Sequence, residues 1–141
     1  MSERAERLRA ETWRWLRMAK ENLAIAEREA QDAVIVKRAP AFWLQQAAEL
    51  ALKAVLVAED ATPPKHHDLD RLRRDCQAVE MRGLGSDSLA ELNPWVLGSR
   101  YPADLPDFDP DLEQLTGHAR AVINAAEQAV TRIVGTNPEE G

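Results

Sequence analysis

Four polar side chains interrupt an otherwise apolar run from Ala39 to Glu59: Gln45, Gln46, Glu49 and Lys53. In a helix, Gln46, Glu49 and Lys53 stand three and four residues apart and share one side. An amide, a carboxylate and an ammonium so placed can bind a ligand, fix the register of a second helix or satisfy one another in a core. Left unpaired they are costly to bury, so something polar must meet them. A second group is His67-Asp68. Its simplest use is to cap a following helix, where free backbone N–H groups and the helix dipole favour an acceptor. A third is Arg100-Tyr101, followed by Pro102. A guanidinium in a stiffened loop can grip phosphate bidentately while the neighbouring ring stacks on a base. The structural alternative pairs Arg100 with Glu49 or the acidic loop and packs Tyr101 on the protein.

Other chemistry-bearing residues read more plainly. Lys65, His66, Arg71, Arg73 and Arg74 form a basic cluster, offset by Asp68, Asp70 and Asp75, and describe a solvated charged face. Asp104, Asp107, Asp109, Asp111 and Glu113 lack the spacing of a recognised cation loop, so no metal site is expected. Cys76 has no CxxC partner and falls on an apolar stripe, which makes it a core residue. Neither a Gly-rich phosphate loop nor a Ser/His/Asp set is readable, and no cofactor is expected.

The elements that position these groups read as helices throughout. The first spans about Glu3 to Asp32, with Leu16, Ala19, Leu23, Ala26 and Ala30 as its buried stripe. Trp13 and Trp15, two residues apart, cannot both lie on it. The Val34-Ile35-Val36 segment is too short for a strand and serves as the connection. The central helix, Ala39 to Glu59, is apolar around most of its circumference, with Pro40 in its first turn. Thr62-Pro63-Pro64 stops it.

A third helix is predicted from His67 to Met81, with Leu69, Leu72, Cys76 and Val79 on one side, and a fourth from Asp87 to Leu97, broken near Pro94. Asp109 is the expected N-cap, and Pro110 the first residue, of a long last helix with its stripe at Leu112, Leu115, Ala119, Val122, Ala126, Val130 and Ile133. The expected architecture is all-α, a four- to five-helix up-and-down bundle, with residues 1–134 as one domain and 135–141 as a frayed tail.

Composition bounds the function. At 45% hydrophobic and 30% charged residues the chain has the make-up of a globular domain. Residues 1–75 hold 14 Lys/Arg against 13 Asp/Glu, whereas residues 76–141 hold 4 against 11. The acidic half argues against nonspecific DNA binding. Four polar residues within the central helix argue against a membrane span, and the Arg- and Glu-rich N-terminus does not read as a signal peptide, so a cytoplasmic protein is expected.

Taken in order, QQAAELALKA from Gln45 to Ala54, HDL from His67 to Leu69 and RYP from Arg100 to Pro102 resemble the HEPN family, the higher eukaryotes and prokaryotes nucleotide-binding domain. Leu50 stands where that family commonly has Lys. The resemblance covers roughly Trp15 to Val134. It implies a helical bundle, usually a homodimer, that often works with a separately encoded minimal nucleotidyltransferase as a toxin–antitoxin-type pair. Many members are metal-independent ribonucleases whose signature is an Arg followed, after four to six intervening residues, by a His. This chain departs from that signature: Glu, Asp, Ala, Thr and Leu occupy the positions required ahead of His66, His67 and His118.

Three functions follow as expectations. The first is a nucleotide- or RNA-binding accessory module with a nucleotidyltransferase partner, whose binding residues are Arg100, Tyr101, Lys53, Glu49, Gln46, His67 and Asp68. The second is a ribonuclease toxin in which Arg100 stabilises the phosphate transition state and a His supplies acid–base catalysis. The third is a purely structural dimerisation domain.

Overall fold

A computed structural model describes residues 1–96 and 106–140. They form five α-helices and no strand: α1 (Glu3–Ala30), α2 (Arg38–Ala58), α3 (Leu69–Asp75), α4 (Ser86–Leu92) and α5 (Leu112–Val134). Short 3-10 turns cover Val79–Gly83, Asn93–Trp95 and Pro138–Glu140. The expected helical bundle is what forms.

Helix α1 starts at Ser2, whose hydroxyl accepts the Ala5 N–H, with Glu3 and Glu6 in the first turn complementing the dipole. Leu16, Ala19 and Ala26 are buried as expected, and Leu23 packs half-buried against the core. Ala30 is exposed instead, because it closes the last turn where the chain leaves for α2. The two tryptophans divide. Trp13 turns toward the C-terminal segment, its indole N–H donating to Gly135 O at 2.9 Å, while Trp15 is half-buried and donates to Glu11.

Helix α2 is the axis of the bundle. Its alanines at 41, 47, 48, 51, 54 and 58 are buried and allow close approach of α1 and α5. By length and composition it is the one described helix apolar enough to cross a membrane, yet 78% of its most apolar stretch is buried inside the protein. It ends before the prolines: Asp60 takes φ 60°, and the N–H groups of Asp60 and Ala61 return to Val57 O and Leu56 O. This is the paired closure that a left-handed residue permits at a helix end.

The third helix is shorter than predicted. It stops at Asp75, Cys76 is extended, and Val79 is 57% exposed rather than on the buried side. The cause lies across the bundle. The Glu59 carboxylate accepts the N–H groups of Gln77 (3.0 and 2.9 Å) and Ala78 (2.7 Å), which removes them from helical bonding. Helix α4 gives way to a 3-10 turn at Asn93-Pro94, as the proline requires.

Helix α5 begins two residues later than expected. Its N-cap is Asp111, whose side chain accepts the Gln114 N–H at 3.1 Å, and Asp109 lies instead 3.9 Å from Lys37. Pro110 is buried just before the cap, and Gln114 sits in the third helical position where a capping box places Glu or Gln. The α5 stripe is as read: Leu115, Ala119, Val122, Ala126 and Val130 are buried, with Leu112 and Ile133 half-buried. Beyond it, residues 135–140 lie along α1, with Glu139 2.7 Å from Arg17.

Candidate functional site

The polar residues of α2 converge on Glu49. Gln45, Glu49 and Lys53 are 0%, 4% and 7% exposed, which is severe burial for an amide and two charges. The three recur every four residues along α2, so they stack on one face that meets the segment entering α3. Lys53 Nζ donates to Glu49 Oε2 at 3.0 Å, and Gln45 Nε2 donates to Glu49 Oε1 at 3.2 Å. Gln46, half-buried, donates to Gln45 Oε1 at 2.7 Å and to Glu49 Oε1 at 3.4 Å. From the segment before α3, His67 Nδ1 approaches both Glu49 oxygens, at 2.9 and 3.1 Å. A carboxylate only accepts, so this geometry assigns the hydrogen to Nδ1 and leaves Nε2 on the outer edge of the ring.

One carboxylate therefore takes donors from an ammonium, an imidazole and two amides. That arrangement answers the desolvation cost of a buried charge and fixes the four donors relative to one another. The cluster is not sealed. The His67 side chain is 44% exposed, against 5% for Glu49 and 9% for Lys53, so its contact with solvent is through the imidazole.

The entry to α3 is held separately. Asp68 is its N-cap and accepts the Arg71 N–H at 3.2 Å, as its sequence position suggested. Asn93, from the turn after α4, accepts the Leu69 N–H at 2.9 Å and donates to Asp68 at 3.5 Å. Asp68 is thus a cap that positions His67 rather than a member of the Glu49 cluster.

The structure brings together Gln46, Glu49, Lys53 and His67, and places Asp68 beside them. Arg100 and Tyr101 lie outside the described residues. Two participants were not among the binding residues read from sequence. Gln45 shares the polar motif, and its four-residue spacing from Glu49 was the available signal. Asn93 acts through a contact 24 residues away in the chain, for which there was none.

The basic cluster on α3 is largely spent within the protein. Arg73 donates to Asp70, Ser86 and Leu84 O, and Arg74 reaches Asp70 at 3.4 Å. The hydrogen bond from Arg73 holds the Asp70 carboxyl below its ordinary value. Cys76 is half-buried on the core, and burial, followed by the charges of Glu59 and Asp75, pushes its thiol up to about 12, which keeps it an unreactive thiol. Among the described residues no group of three His, Cys, Asp or Glu side chains is arranged to hold a metal ion.

Comparison with known proteins bears on this geometry. Searches of curated proteins and of solved structures each returned no match. The family model of the HEPN domain matches residues 12–129, a span that contains the whole Glu49 cluster, the α3 cap and most of α5. With most of its length matched, the chain belongs to the HEPN domain family.

Proposed function

We infer that this HEPN protein is a nucleotide- or RNA-binding accessory module of the cytoplasm that works as a homodimer with a separately encoded nucleotidyltransferase, as one half of a toxin–antitoxin-type pair. The observation that carries the binding reading is the partly open cluster: a buried carboxylate that fixes Lys53 and His67 in place, with the imidazole as its exposed edge. Donors pre-ordered in this way offer phosphate or base edges a site that need not reorganise on binding. In this reading Arg100 grips phosphate and Tyr101 stacks on the base, while Lys53, Glu49, Gln46, His67 and Asp68 form and hold the floor.

The test is calorimetry with ATP, other nucleotides and a short RNA at two salt concentrations, comparing wild type with Arg100→Ala and His67→Ala. Saturable binding lost in both variants, with helicity and oligomeric state retained, supports the site. No binding in wild type rejects it and transfers the role to protein contacts alone. Co-purification with the product of a neighbouring nucleotidyltransferase gene tests the partner.

A second reading has its own support. Glu49 orients His67 through Nδ1, and Nε2 has no hydrogen-bond partner among the described residues, an arrangement suited to acid–base catalysis on RNA. RNA cleavage that survives EDTA and is abolished in His67→Ala would favour the ribonuclease.

A further inference from the structure

The His67 ring meets Glu49 with its side chain 44% exposed. A charge contact this open to water contributes little and does not by itself hold an imidazole in one orientation. The backbone that carries His67 must therefore be held as well.

Its ties come from two directions. From α2, Gln45 Nε2 donates to His67 O at 3.3 Å, a long contact made by a nitrogen that also serves Glu49. Within the segment, the Asp68 N–H donates to His66 Nδ1 and Asp68 Oδ1 accepts the Arg71 N–H, each at 3.2 Å, but neither bond reaches another element. From the turn after α4, Asn93 Oδ1 accepts the Leu69 N–H at 2.9 Å. Leu69 is fully buried and is the first residue of α3, so its N–H has no acceptor inside the helix. Without the Asn93 oxygen, a buried backbone donor two residues from His67 is left unpaired, which costs more than an exposed charge contact returns. The Asn93 amide also donates to Asp68 Oδ1 at 3.5 Å, at the limit of a hydrogen bond, so the tie to Leu69 is the stronger of its two.

We propose that Asn93 is a positioning residue for His67. By fixing the entry of α3 against the turn Asn93–Trp95, it keeps the imidazole opposite both Glu49 oxygens and so keeps the ring hydrogen on Nδ1. The proposal rests on the Glu49–His67 cluster being the binding site, and adds to it a residue that makes no contact with Glu49 or the imidazole.

The ring ¹⁵N resonances of neutral His67 test this, because the hydrogen bonds a ring makes decide which nitrogen carries the hydrogen. They are compared in wild type, Asn93→Ala, Asn93→Asp and Arg73→Ala. Asn93→Ala should move the hydrogen toward Nε2 as the ring leaves Glu49 for water. Asn93→Asp keeps an acceptor for the Leu69 N–H and should keep the wild-type signature. Arg73→Ala cuts the bonds to Leu84 O and Ser86 Oγ at the other end of α3 and should also leave the ring unchanged. A wild-type signature in Asn93→Ala overturns the proposal. So does the same shift in Arg73→Ala, which would trace it to a general loosening of α3, or in Asn93→Asp, which would discount the Leu69 bond. Hydrogen exchange on wild type decides the matter even where a variant does not fold. The Leu69 amide should be protected like that of Leu72, which is bonded inside α3, and an unprotected Leu69 amide overturns the proposal.

ATP titrated into the same proteins separates the tie from the function. Affinity about tenfold weaker in Asn93→Ala, as for a fixed donor set free, supports both. Equal ATP affinity beside a shifted ring supports the tie and rejects His67 as a ligand contact. If wild type binds no ATP, the nucleotide reading fails there, and the ring resonances and the Leu69 amide still decide the role of Asn93.

Discussion

His67 and Glu49 meet edge to edge, with one imidazole nitrogen within 3.1 Å of both carboxylate oxygens while Lys53 holds the same carboxylate from inside. The cluster is therefore a unit in which no charge can be removed alone without exposing another. Replacing Glu49 with Ala strands the buried Lys53 ammonium and should cost about 3–5 kcal/mol. Replacing both, as Glu49→Leu with Lys53→Met, removes the stranded charge and should recover much of that loss. Urea denaturation of the two variants checks the difference. A double variant no more stable than Glu49→Ala would mean that the pair is not coupled as the geometry shows.

Acid should find a different weak point. Arg132 donates to both oxygens of Glu80, at 2.7 and 2.8 Å, and ties the turn Val79–Gly83 to α5. That hydrogen bond, with help from the Glu80 backbone N–H, pulls the Glu80 carboxyl down to about 2 from an ordinary 4.5. The group is depressed on folding, so its contribution is complete above pH 4.5 and disappears as pH falls toward about 2. Glu80→Gln should thus be less stable than wild type at neutral pH, with the gap closing through that window. Thermal unfolding of both proteins across the pH range reads it directly, and a gap that persists at pH 2 would assign the effect to packing.

Thr12 offers the opposite case, a polar group whose removal should help. It is fully buried, and its hydroxyl has no hydrogen-bond partner among the described residues. Valine has nearly the same shape without the stranded oxygen. Thr12→Val should stabilise the protein by about 1 kcal/mol, seen as a higher urea midpoint at unchanged slope. Destabilisation would show that the hydroxyl has a partner.

The long helices were legible because their signal is local and repeated. The stripes at Leu16, Ala19 and Ala26, and from Leu115 to Val130, each report a face through several turns. Ends decided by distant contacts were not legible. The sequence from Leu69 to Val79 keeps helical spacing, and only the carboxylate of Glu59, 18 residues before Gln77, takes the backbone out of the helix. The start of α5 was misplaced for a local reason: two aspartates compete as cap, and the one with Gln114 three residues on prevails. Within the site, the shared face of Gln46, Glu49 and Lys53 was readable from spacing. That His67 completes it was not, since periodicity carries no information across the separation of 18 positions from Glu49.

Gly135 carries a constraint that tests how the C-terminal segment is held. Its φ of 102° with ψ of 178° lies in a region open essentially to glycine alone, and a Cβ there would sit 3.4 Å from Arg9 Cδ. The same conformation aims its carbonyl at the Trp13 indole, 2.9 Å away, before Glu139 reaches Arg17. Gly135→Ala should therefore cost about 1–3 kcal/mol, through backbone strain and a loosened Trp13 contact. Since α1 to α5 make their packing without this residue, far-UV helicity should be retained while tryptophan emission shifts. Arg17→Ala supplies the contrast: it releases Glu139 but leaves the Gly135 backbone alone, so it should change stability much less. Equal effects from the two variants would place the anchor of the segment at its ion pair instead of at the strained glycine.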